Sequence, residues 1–232
     1  MFAKNEKKRE GYVVTIDGPA GSGKSTTARL VARKLGWLYL DTGAMYRAVT
    51  VNVLRNQIPL DDPESIGRIA EQSTIELCPS KKGAQVLLNG DDVTDEIRHP
   101  QIDRTIGPVC EVPKVRDVMV RLQREIGRKG PVVAEGRDVG TVVFPDADVK
   151  FYMVASIEKR AQRRQNDLKR QGIDMDVDQL KEDIARRDKR DIQRKNSPLM
   201  KADDAILVDT THLSIPEQVA FVIDHIAKKI NL

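Results

Sequence analysis

Cysteine, histidine and aromatic residues are scarce in this 232-residue chain: two Cys, three His, one Trp, and an aromatic content of only 4%. Cys78 and Cys110 stand in unrelated contexts without C-x-x-C spacing. They therefore make neither a disulfide framework nor a zinc site; both read as small buried hydrophobes, and a reducing cytoplasm is the expected compartment. His99, His212 and His225 are scattered singly, as surface or capping residues would be, which argues against a histidine-built metal centre. No apolar run approaches the ~20 residues needed to span a bilayer, so no membrane partner is expected. The segment Met1 to Glu10 is charged and lacks an apolar stretch, so it does not read as a secretory signal.

Hydrophobic residues make up 40% of the chain, enough for a core and too many for wholesale disorder. Charge is plentiful at 32%, with 39 Lys and Arg against 35 Asp and Glu, a net of +4. A basic balance suggests nucleic acid, but the position of the excess matters more than its size. Ser156 to Lys195 holds 13 basic and 9 acidic residues, whereas the rest of the chain holds 26 of each. The excess is local, and that segment contains no aromatic residue on which bases could stack.

The order of elements reads as α/β. Tyr12 to Asp17 is a β-branched run ending in an acid, and Lys24 to Leu35 has helical apolar spacing ended by Gly36. A second strand over Trp37 to Leu40 leads into a helix reaching about Arg55. Strand, helix, strand, helix predicts a parallel sheet with helices on its faces. After a helix from Asp61 to Gln72 the rhythm changes. Short strands over Thr74 to Leu77 and Gln85 to Leu88 flank a Lys81-Lys82-Gly83 turn, and Asn89-Gly90 turns again before Val93. A small antiparallel insert from about Gly67 to Gly107 is expected. A helix from Pro113 to about Lys129, strands over Val132 to Glu135, Val149 to Ala155 and Ala205 to Asp209, and a final helix Pro216 to Ile230 complete the pattern.

The first turn carries the chemistry. Gly18, Pro19, Ala20, Gly21, Ser22, Gly23, Lys24 and Ser25, with Thr26 following, match G-x-x-x-x-G-K-[ST] between a strand and a helix. Glycines let backbone N–H groups curl round phosphate oxygens, and the helix N-terminus adds partial positive charge. Lys24 can reach the β- and γ-phosphates, and the Ser25 hydroxyl can ligate Mg²⁺. A nucleoside triphosphate is the expected ligand. The loop does not by itself name a reaction, but no N-K-x-D guanine signature follows, and a small kinase fits the length better than a GTPase or motor.

Two further strand ends carry cations. Thr42 opens the second helix with Arg47 about a turn beyond it, which suits an anion; the plainer alternative is a helix cap by Thr42 and a surface arginine. Glu135-Gly-Arg137-Asp138 closes a later strand, where Arg137 is either an anion ligand or the partner of a neighbouring acid. Arg116 taken alone reads as a solvated helix residue. Arg187, Arg190, Asp191 and Arg194 share one helix face, and Arg160, Arg163 and Arg164 cluster upstream. A salt-bridged, solvated face is the ordinary reading of such a run. An excess of guanidiniums over acids, however, suits phosphate oxygens, which they grip bidentately.

Taken in order, the loop Gly18–Thr26, the segment Asp41–Arg47, the run Glu135 to Asp146, Arg187–Arg194 followed by Ser197-Pro-Leu, and Asp203 to Thr211 resemble the bacterial cytidylate kinase family from about Tyr12 onward. The resemblance implies a three-layer α/β P-loop kinase fold with a parallel central sheet, a small antiparallel acceptor-binding insert and a helical lid. It divides the chain into core (11–66), insert (67–107), core (108–158), lid (159–186), and core with a C-terminal helix (187–232). It implies transfer of the γ-phosphate of ATP to CMP or dCMP with Mg²⁺, by a cytoplasmic monomer that binds no nucleic-acid polymer. Thr42, Arg47 and Arg137 then hold the acceptor phosphate, and Arg116 and Arg194 read the cytosine. Arg187 and Asp191 contact sugar or base, while Arg160 and Arg164 reach in from the lid beside catalytic Lys24. Gly107 departs from the family pattern, which has a serine hydroxyl near the base. A P-loop kinase for another acceptor such as UMP is the neighbouring alternative, and an RNA-binding protein that uses ATP as a switch is the more distant one.

Overall fold

A computed structural model of the protein describes residues 11–80, 83–170 and 172–231; the N-terminal tail and the Lys81-Lys82 turn lie outside these. β1 (Val13–Asp17) runs through the glycine turn into α1 (Lys24–Leu35), β2 (Leu38–Asp41) and α2 (Thr42–Arg55). α3 (Pro63–Gln72) precedes β3 (Ile75–Ser80), β4 (Gly83–Leu88) and β5 (Asp91–Asp92). Then come α4 (Pro100–Glu111), α5 (Pro113–Gly127), β6 (Val132–Gly136), β7 (Val149–Val154), α6 (Ile157–Arg170), α7 (Val177–Gln193), β8 (Ile206–Asp209) and α8 (Ile215–Ile230).

Two sheets result. The larger has the order β2-β6-β1-β7-β8, and every pairing is parallel. The smaller, β3-β4-β5, is antiparallel, as the short strands of the insert require. In the larger sheet β1 is central and all five of its residues are buried, because helices cover both faces of a parallel sheet. Side chains alternate across it. Val14, Ile16 and Val133 pack with Ala28 and Val31 of α1 and Val219 and Val222 of α8. Val13, Val132 and Leu40 point the other way, into a cluster with Met45 and Val49 of α2 and Val115 and Met119 of α5. The strand ends that carry Asp17, Asp41 and Glu135 therefore emerge together along one edge.

α1 has the limits its periodicity predicts, closing at Gly36 (φ 68°), whose N–H bonds the carbonyls of Ala32 and Arg33. The insert is less simple than expected. It carries α4 as well as strands, a helix hidden in the sequence by Gly107 and Pro108. Proline has no N–H to give the carbonyl four residues back, so its presence argues against a helix interior. Burial of Ile102, Ile106 and Val109 on one face outweighs that loss. α6 and α7 pack on each other through a separate small core of Ala161, Leu168, Leu180 and Ile184. Among the described residues no helix is long and apolar enough to cross a membrane.

Candidate active site

The phosphate loop is shaped by its glycines. Gly21 and Gly23 sit at φ 75° and 94°, a region disfavoured for L side chains, and a Cβ on Gly18 would lie 2.1 Å from the Met153 carbonyl oxygen. Gly23 caps α1 without any side-chain hydrogen bond, so the first N–H groups of the helix face the loop. The loop is braced from behind by residues far along the chain, on α6, after β8 and on α8. Thr210 Oγ1 donates to the Ser22 carbonyl (2.8 Å), Arg163 Nη1 donates to the Gly21 carbonyl (3.2 Å), and Thr27 Oγ1 donates to Gln218 Oε1 (2.9 Å).

Lys24 turns back over the loop, 3.4 Å from the Pro19 carbonyl and 3.8 Å from Glu135 Oε2. Burial, and then the neighbouring Arg137, lower its pKa to about 7. The Glu135 carboxyl is raised by burial and by nearby Asp41, and the Ser25 side chain bonds to it. Asp17 accepts the N–H groups of Val139 (2.9 Å) and Gly140 (2.7 Å), and burial holds its carboxyl up at about 6 despite them.

At the end of β2 the helix cap is Asp41, whose Oδ1 accepts the Ala44 N–H at 2.9 Å. Thr42 is thereby released from the capping role open to it in the sequence, and its hydroxyl donates to the Glu135 carbonyl at 2.7 Å. Arg137 Nε donates to Asp191 Oδ2 (2.8 Å), an acid on α7 rather than an adjacent one. Arg116 is not a solvated helix residue. It is 5% exposed, lies 5.6 Å from the centre of the Tyr46 ring, and pairs with Asp138. Arg194 caps the end of α7 and meets the other oxygen of Asp138 at 3.3 Å. Ser197 bonds both arginines, its hydroxyl accepting from Arg116 Nε (3.2 Å) and its carbonyl from Arg194 Nε. At Gly107, a Cβ would lie 2.5 Å from Arg190 Nη1, so the end of Arg190 takes the space a serine side chain would use.

Of the α6 cations, Arg160 pairs with Asp188 and also donates to the Ala20 carbonyl of the loop (3.3 Å). Arg164, Arg47 and Arg187 converge on Asp103 of α4, at 2.8, 2.7 and 3.6 Å. Arg187 is lowered to about 10 by burial and by the nearby Arg137 and Arg47. Contacts thus link Lys24 to Glu135, Thr42 to the Glu135 carbonyl, Arg137 to Asp191, Arg116 and Arg194 to Asp138, Arg160 to Asp188, and Arg47, Arg164 and Arg187 to Asp103. The structure adds Asp17, Asp103, Asp138, Asp188 and Glu135. Glu135 and Asp138 flank Arg137 in a strand-end motif and could have been taken from it; Asp103 lies in no motif. His99 caps α4, its Nδ1 facing the Gln101 N–H at 3.4 Å, and Cys78 and Cys110 are unbridged.

A sequence profile for the family described as cytidylate kinase matches residues 14–231. A cytidylate kinase of Carboxydothermus hydrogenoformans is 49% identical over 216 residues, 93% of this chain and 97% of that one. The cytidylate kinase of Bacillus pumilus is 47% identical over 211 residues, 91% and 94% of the two chains. Among solved structures, an uncharacterized protein from Eubacterium ventriosum superposes with a TM-score of 0.52 at 12% identity, covering 93% of this chain and 98% of that one, a likeness of fold alone.

Proposed function

This chain belongs to the cytidylate kinase family and phosphorylates CMP and dCMP with ATP as donor, and we propose that its two sets of cations divide that reaction between them. The phosphate loop from Gly18 to Thr26 holds the triphosphate. Lys24 of that loop, with Arg160 and Arg164 from a lid formed by α6 and the start of α7, spreads the charge of the transferring group. Thr42, Arg47 and Arg137 hold the acceptor phosphate, Arg116 and Arg194 read the cytosine, and Arg187 and Asp191 contact the sugar or base. The chain divides accordingly into core (11–66, 108–158 and 187–232), acceptor-binding insert (67–107) and lid (159–186). The enzyme works in the cytoplasm as a monomer.

One observation carries this reading. Burial and the nearby Arg137 bring Lys24 down to about 7, and burial with Arg137 and Arg47 beside it brings Arg187 down to about 10. A cleft that penalises its own cations in this way is matched to incoming anions.

The acceptor phosphate is already an anionic nucleophile, so no general base is needed. One of its oxygens bonds to the γ-phosphorus as the bond to the β–γ bridging oxygen breaks, and ADP leaves. The protein's share is to screen two polyanions, align them, and exclude water, which would otherwise take the phosphoryl group. The oxygen donors at Ser25 and Glu135 fit a hard divalent cation. Mg²⁺ would be held there by the Ser25 hydroxyl and, when bound, neutralises charge on the β- and γ-phosphates.

The test is ADP release across CMP, dCMP, UMP, AMP and GMP, repeated with Arg137→Ala. CMP and dCMP should dominate, and the substitution should raise the KM for CMP far more than that for ATP. Equal losses for both nucleotides would remove Arg137 from the acceptor site.

A further inference from the structure

Asp103 belongs to none of the motifs and sits on α4, yet three arginines assigned to substrate phosphates or sugar reach it from three other helices. Its Oδ1 accepts from Arg47 Nη2 of α2 at 2.7 Å and lies 3.6 Å from Arg187 Nη1 of α7; its Oδ2 accepts from Arg164 Nη2 of α6 at 2.8 Å. Burial alone would raise this carboxyl, but Arg47 and Arg187 outweigh burial and hold it below the usual carboxylate range, so it remains an anion. A carboxylate presents two oxygens and one charge to planar N–H donors, in nearly the same geometry as two oxygens of a phosphate. The neighbouring acids have other duties: Asp191 holds Arg137, Asp188 holds Arg160, and Asp138 holds Arg116 and Arg194.

We propose that Asp103 is a positioning residue that stands in for phosphate, keeping Arg47, Arg164 and Arg187 gathered and yielding their N–H donors to the acceptor and transferring phosphoryl groups. The inference rests on the assignment of Arg47 to the acceptor phosphate. A dianionic phosphate outcompetes a single carboxylate for these donors, so binding proceeds, though less tightly than to free arginines. The same competition runs in reverse after transfer. Asp103 reclaims the guanidiniums as the diphosphate product departs, which shortens its stay. Asp103 also ties α4 to α6 and α7, so the arginines lose little freedom when a nucleotide arrives.

Asp103→Asn keeps the size and removes the charge. Calorimetric titration with CMP, without ATP, should show Kd falling about fivefold or more, as expected when a competing buried charge is removed. In steady state, the KM for CMP and kcat should fall together, because product release slows. Asp103→Glu, which restores the charge, should return CMP affinity to within about twofold of the parent, as a shared charge effect requires. CMP affinity that is unchanged or weakened in Asp103→Asn overturns the proposal. Should that variant fail to fold, the carbon-13 carboxyl signal of Asp103 in the parent protein decides: it should shift when CMP is added, and a signal that does not move is equally fatal. Arg47→Gln tests the underlying assignment separately. Undiminished CMP affinity there removes the acceptor site, and the inference with it; a weakened Arg47→Gln beside an unchanged Asp103→Asn removes only the role of Asp103.

Discussion

Lys24 shows how far the fold can move a single group. Its pKa of about 7, against an ordinary 10.5, means that the free protein holds this side chain mostly uncharged in mildly alkaline solution. A triphosphate laid against it favours the ammonium form, so ATP binding should draw in close to one proton at about pH 8.5, and less below pH 7, where the charge is already present. Calorimetry in buffers of different ionisation enthalpy measures that uptake, and Lys24→Met should abolish it; equal uptake in the variant would assign the proton elsewhere. The same shift affects stability. The cost of burying the charged amine is fully present below about pH 7 and fades as pH rises toward 10.5, the direction for a base whose folded pKa is depressed. Lys24 was legible in the sequence because glycine spacing, lysine and serine form one pattern with one chemical purpose. The burial of Arg116 was not, since an arginine near a helix start gives no sign of the Tyr46 ring and Asp138 carboxylate that receive it. Asp103 was illegible for the complementary reason: an acid among charged neighbours carries no spacing signal, and only the meeting of four helices gives it a role.

Among the elements, the α6–α7 pair has a core of its own, and it carries Arg160, Arg164 and Arg187. Leu180 is 3% exposed within that core. Leu180→Ala should cost about 2–5 kcal/mol, the usual range for a buried Leu→Ala change, and the cost should fall on this pair rather than on the sheet. Hydrogen exchange should quicken in α6 and α7 while the amides of β1 and β6 keep their protection, and turnover should drop as the arginines lose their support. Uniform acceleration throughout the molecule would show that the pair is not a separate unit. The sequence identified most elements whose period is unbroken, including α1, β1, β6 and α8. It missed α4 because Gly107 and Pro108 interrupt the local signal, whereas the apolar face that decides the matter is satisfied only by tertiary contact.

For the molecule as a whole, the net charge of +4 proves to be a property of one region. Part of that region pairs with acids of the site, Arg160 with Asp188 and Arg164 and Arg187 with Asp103 of α4, while Arg170 and Arg186 stay exposed beside acids of their own helices. Attraction for nucleotides should therefore weaken with salt in proportion to their phosphates. Raising ionic strength from about 0.05 to about 0.5 M should loosen CMP and ATP severalfold and leave cytidine nearly unaffected, since screening lengths shorten several-fold over that range. Equilibrium binding of the three compounds across salt checks this, and an equal response from cytidine would locate the effect outside the phosphate contacts.

The phosphate loop is synthesised well before the residues that form its rear wall. Thr210, Arg163 and Gln218 hold the carbonyls and hydroxyl behind Gly21, Ser22 and Thr27. A nascent chain thus carries its nucleotide signature past β7 without the means to set it in shape. Competence to bind ATP should arrive late and abruptly, once β8 and the first turns of α8 have emerged, so that the growing polypeptide does not capture nucleotide before its acceptor side exists.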